Sequence, residues 1–167
     1  MSTIDVLIAV DAESIVSKYG KNNDPNNPTF IPYGSQLIFM ITKRDNVLSG
    51  QGGSELKIQA NTLDTIRWRQ TTLSLNAEND AILYQFVPSR GGNLIAPPRP
   101  EIATVKTALP DPNDPTSPNF QTIQNYFWNT TAEKPGNVTY SFRFAIVDRH
   151  DNILGYYSWD PFIEISD

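Results

Sequence analysis

Hydrophobic and polar positions alternate with period two through most of this chain. In NVTYSFRFAIV, Val138, Tyr140, Phe142, Phe144 and Ile146 share one face, and Thr139, Ser141 and Arg143 share the other. A helix would scatter these residues around its circumference, whereas a strand with one buried face places them this way. The same alternation predicts strands over Ile4 to Val10, Gln36 to Thr42, Glu55 to Ala60, Thr65 to Thr71, Ala81 to Val87 and Ile102 to Leu109, with Ile163 and Ile165 facing inward in a last strand. These runs are rich in β-branched and aromatic residues and are separated by Asn, Asp, Gly and Pro. The expected fold is all-β, an antiparallel β-sandwich or jelly roll, with one short N-terminal helix. That helix is expected from Asp11 as N-cap through Ser17, with Gly20 just past its end.

Two stretches resemble each other within the chain. Asn-Asp-Pro-x-x-Pro-x-Phe occurs at Asn23 to Phe30 and again at Asn113 to Phe120, and FMITKRDNVLSG from Phe39 echoes FAIVDRHDNILG from Phe144. The ordinary demands of turns account for such strings, because Asn, Asp and Pro are what turns use. A duplicated β unit is the other reading, and it would place the two echoing hairpins at equivalent positions in facing sheets.

Composition narrows the chemistry. At 167 residues, one domain spanning 1–167 is the expected organisation. Thirteen Lys and Arg against eighteen Asp and Glu give a net charge of −5, which repels a phosphate backbone and argues against nucleic acid as partner. With no Cys, neither disulfides nor thiolate metal sites can hold the fold. The opening residues lack a basic leader and no stretch is long enough for a membrane span, so a soluble chain without a classical export signal is expected.

No catalytic signature appears. His150, the only histidine, lies between Asp148 and Asp151 in DRHDN, where a polar turn explains it better than an acid–base pair does. Asp11 and Glu13 are candidate oxygen ligands for calcium, without the spacing of an EF-hand. Trp68 falls between Arg67 and Arg69, so an inward Trp68 leaves a small basic spot on the other face. Tyr157, Trp159 and Asp160 in GYYSWDPF combine aromatic rings with a carboxylate, as sugar-binding surfaces do, although core or dimer-interface packing is the first reading of those rings.

IDVLIAVDAESI at Ile4 to Ile15 and GYYSWDPFIEI at Gly155 to Ile165, with FRFAIVD at Phe142 to Asp148, resemble the AidA/PixA family of bacterial inclusion-body proteins. The resemblance implies a small β-sandwich protein of host-associated bacteria, cytoplasmic and sometimes deposited as inclusions, with no associated enzymatic activity and no resident cofactor. The family includes a methionine-rich type, and with two Met this chain does not share that trait. The expected function is thus a non-catalytic, self-associating inclusion-body-type protein, homodimeric or higher, with a host-interaction or storage role. The alternative is a lectin-like module, with calcium as a candidate ion and release without a classical signal, that binds glycans through Trp159, Asp160, Trp68 and Tyr157.

Overall fold

The computed structural model describes residues 1–167 as twelve strands and one α-helix. In chain order these are β1 (Thr3–Val10), α1 (Ala12–Tyr19), β2 (Thr29–Phe30), β3 (Ile38–Ile41), β4 (Val47–Ser49), β5 (Lys57–Asn61), β6 (Thr65–Thr72), β7 (Asn79–Arg90), β8 (Arg99–Leu109), β9 (Asn119–Thr131), β10 (Gly136–Asp148), β11 (Ile153–Trp159) and β12 (Phe162–Ser166). One sheet has the order β3-β1-β6-β9-β8; the other runs β2-β11-β10-β12-β5-β4, with β7 on the free side of β10.

The all-β expectation stands, with a single helix. The sheets are mixed rather than purely antiparallel, because β1 and β6, β11 and β2, and β12 and β5 pair in parallel. Side-chain alternation could not reveal this. Period two follows from the pleat itself and is the same whichever way the neighbouring strand runs.

The helix follows its capping residues. The Asp11 carboxylate accepts the Ser14 N–H at 3.1 Å, and Gly20 closes the helix with φ +72° while its N–H donates to the Val16 carbonyl. Ile15 and Ala12 point into the core, so α1 plugs one end of the sandwich.

The echoing segments do not form equivalent units. In the first, β3 pairs with β1 while β4 crosses to the other sheet and pairs with β5. In the second, β10 and β11 form a true hairpin within one sheet. The duplication reading fails, and the shared strings reflect turn chemistry.

One side of β10 is shared by two strands in succession. Phe142 lies opposite Trp159 on β11, and Thr139 lies opposite Phe162 on β12. Between them Asp160 and Pro161 break the ladder, since Pro161 has no N–H to donate, and the Tyr140 N–H reaches the Pro161 carbonyl at 3.3 Å. The closing GYYSWDPFIEI phrase is therefore a nearly continuous line beside β10.

A single cluster of 29 buried hydrophobic residues fills the space between the sheets. Ile4, Val6, Ile8 and Val10 enter it from β1, and Val138, Tyr140, Phe142 and Phe144 from β10. All three tryptophans reach across the gap. Trp68 Nε1 donates to the Tyr140 hydroxyl at 3.0 Å, Trp128 Nε1 to the Leu83 carbonyl at 3.0 Å, and Trp159 Nε1 to the Met40 sulfur at 3.2 Å. Each indole thus contributes apolar area to one layer and a directed polar tie to the other.

Asp64 pins the start of β6 to the N-terminal strand. Its buried carboxylate accepts the backbone N–H groups of Asn61, at 3.0 Å, and of Ser2. Burial works against its charge, but those N–H groups outweigh it, and the carboxyl is held below its usual range. Asp64→Ala should leave two donors unpaired and cost about 2 kcal/mol near neutral pH. A carboxyl whose folded pKa is depressed stabilises above its unfolded pKa, and the contribution is lost as the pH falls through the folded value. Urea titrations of parent and variant should therefore converge on acidification through the carboxylate range. A gap that stays constant with pH would contradict this role.

Candidate functional site

The outward features of the molecule are strand edges, and the most prominent is the β8–β9 hairpin. β9 joins β6 only from Thr65↔Thr131 to Trp68↔Trp128. Beyond Trp128 it leaves the sandwich together with β8, and the two remain paired out to Leu109↔Asn119. The overhanging part spans about 27 Å at the usual strand rise.

Local chemistry builds this arm well. At its tip the Asp111 carboxylate accepts the Asn113 N–H at 2.9 Å, and that bond holds its carboxyl below the usual range. The Thr116 hydroxyl donates to Asp114 at 2.6 Å with the same effect on Asp114. The Lys106 ammonium lies 4.9 Å from the centre of the Phe120 ring. Pairings such as Val105↔Ile123 and Ile102↔Tyr126 run along the two faces. Ile102 is nevertheless 72% exposed and Phe120 59%. From Asn119 to Thr131 there is no charged residue, and from Ile102 to Leu109 the only one is Lys106.

The arm overhangs the outer face of β1 and β6. Between them lies an open groove of about 440 Å³ lined by Leu7, Arg69, Val105, Asn125 and Phe127 among others. Arg67 spans this floor. It donates to both Asp5 oxygens, at 2.7 and 2.9 Å, and stacks 5.1 Å from the Phe127 ring centre. The hydrogen bonds it gives to Asp5 hold the guanidinium firmly charged. Arg69 has no carboxylate partner. The groove offers an apolar floor with one free cation, and its one carboxylate, Asp5, is already spent on Arg67.

The residues proposed from sequence as a ligand site are not brought together at any surface. Trp68, Trp159 and Tyr157 each have 0% exposure. Their rings pack edge-on or stacked against Tyr140, Phe142 and Phe144, and the Tyr157 hydroxyl donates to the Gly20 carbonyl at 2.7 Å. Buried on the inward face of their strands, they have no C–H surface left to offer a sugar. Asp160 is half-buried at the β11–β12 junction, where desolvation pushes its carboxyl up and also, with Asp160 nearby, that of Glu55.

Asp11 and Glu13 do not converge on a common point. Asp11 caps α1, Glu13 points outward from its first turn, and no group of three or more His, Asp or Glu side chains gathers anywhere. His150 lies in the exposed β10–β11 turn, its N–H donating to Asp148, whose carboxyl is lowered chiefly by the Asn152 side chain. No helix is long and apolar enough to cross a membrane.

The arm was only half visible in the sequence. Alternation reveals β8 from Ile102 but not β9, which carries Tyr126, Phe127 and Trp128. Its absence of charge over thirteen residues, on a chain that is 19% charged, was the available signal.

Fold and site define a two-sheet, mixed β-sandwich whose tryptophans are spent on the core and whose projecting hairpin exposes Ile102, Leu109 and Phe120. The family model for inclusion body proteins, PixA, matches residues 2–165, and the chain belongs to that family. It is similar to the crystal structure of an inclusion body protein from Burkholderia cenocepacia J2315, with a TM-score of 0.82 and 22% identity over 99% of this chain and 96% of that one. The solution structure of amebosin aligns at a TM-score of 0.26 and 9% identity, over 74% of this chain and 93% of that one, too weakly for structural argument. No curated protein matches the sequence.

Proposed function

We propose that this chain is a non-catalytic, self-associating protein that forms cytoplasmic inclusions with a structural or storage role, or a role in contact with a host. The observation that carries this reading is the arm, which holds exposed apolar side chains on strands almost free of charge. Soluble monomers protect such strands with lysine, proline or bulges, because unpaired backbone groups template pairing with another chain. Membership of the inclusion body family supports the same reading.

Light scattering of the purified protein at rising concentration provides the test. The expected result is a mass that exceeds one chain and grows with concentration, together with dense deposits in cells that express it. A strictly monomeric protein that stays soluble at millimolar concentration would overturn the proposal, and selective glycan binding by that monomer would replace it with a lectin function.

A further inference from the structure

We infer that β8 pairs antiparallel with β8 of a second copy of this chain, centred on Val105, and so joins the two β3-β1-β6-β9-β8 sheets into one continuous ten-stranded sheet. This rests on the self-association proposed above and specifies its surface and register.

The outer edge of β8 is the long strand edge with the fewest guards. β2, β3 and β4 are short, and the Met40 backbone is already satisfied by Gly52 and Gly53. β7 is a long edge strand too, but it carries Pro88 and two register shifts against β10, the devices that blunt an edge. On β8 Pro100 blunts the base and Lys106 is the one lysine, and with no bulge in its pairing to β9 the stretch from Glu101 to Leu109 keeps free N–H and C=O groups on the side away from β9. The free edge of β9 faces the body instead, across a cleft occupied by Gln70, Asn76 and Asp80.

A two-stranded ribbon projecting into water is marginal by itself, and a third strand is what stabilises it. A second copy of β8 fits that place. Strands related by a two-fold axis need only be self-complementary, and residues i and j oppose each other when i + j is constant. The proline-free stretch from Glu101 to Leu109 has its middle at Val105, so full overlap sets that sum at 105 + 105 = 210. Val105 then meets its own copy, Ala103 meets Thr107, Thr104 meets Lys106, Ile102 meets Ala108 and Glu101 meets Leu109. No like charges oppose each other in this register.

The absence of native cysteine makes the register directly testable. Val105→Cys should form an interchain disulfide rapidly under mild oxidation, since directly opposed residues lie within about 4.5–5.5 Å between Cα atoms. Ile102→Cys alone should not, because two copies of residue 102 would lie about 20 Å apart, whereas Ile102→Cys co-expressed with Ala108→Cys should give the mixed dimer. Thr104 is exposed, and Thr104→Lys places a lysine opposite Lys106 twice per dimer, raising the dimer Kd about tenfold. Thr104→Glu should lower it. If the protein dimerises but Val105→Cys fails to crosslink and both Thr104 variants behave alike, this pairing is overturned while self-association stands. If the parent protein is monomeric throughout, both fall.

Discussion

Trp68→Ala is expected to destabilise the protein by about 3–5 kcal/mol, the range for removing a fully buried large aromatic. The side chain has no exposed surface and packs at ring distances of 5.4 to 5.8 Å against Phe86, Tyr140 and Phe142. Its loss opens a cavity at the middle of the sandwich. It also strands the Tyr140 hydroxyl, which is wholly buried and receives the indole N–H, and whose pKa burial pushes far up. For a domain of this size the melting temperature should fall by roughly 10 °C. Trp68→Phe should recover most of the apolar contact but not the tie between sheets, so its loss should lie between those of the parent and the alanine variant. A Trp68→Ala protein with unchanged urea midpoint would mean that this indole is not part of the inter-sheet core.

The second large effect is expected at Gly91, which ends β7 and starts the short 3₁₀ turn Gly92–Leu94. Its φ is +70°, in the left-handed region, and an added Cβ would overlap the Asn137 carbonyl oxygen on β10. The overlapping group is backbone rather than a flexible side chain, so relief requires moving the backbone of a central strand. Gly91→Ala should cost about 3 kcal/mol through backbone strain and the displaced β7–β10 contact. Gly34 provides the control. It has φ +80° with nothing near its Cβ position, and Gly34→Ala should lose only about 1 kcal/mol. Equal losses at the two positions would show that conformation alone, without the close approach to Asn137, sets the cost at Gly91.

These two sites show where sequence reasoning reached and where it stopped. Alternation around Trp68 makes an inward ring one reading of its strand, and the ring is buried in the structure. What alternation left open was whether inward meant a core or a pocket, since a pocket also lies on the inner side of a strand. The partner that decides it, Tyr140, is 72 residues away in the other sheet. Gly91 carried no local sign at all, because its constraint comes from Asn137 crossing close by.

Strand character, the helix between Asp11 and Gly20, the turns rich in Asn, Asp and Pro, the absence of thiol chemistry and the family are all legible in the chain of residues alone. All of these follow from short-range physics or direct resemblance: side-chain period, capping, turn propensity and composition. The tertiary structure alone reveals that the sheets are mixed, that all three tryptophans tie one layer to the other, and that the echoing segments are unrelated. It also decided that β8 and β9 leave the sandwich as an arm with an open edge. Strand direction, layer assignment and edge exposure depend on which distant segment lies alongside, and no local pattern of hydrophobic and polar residues carries that information.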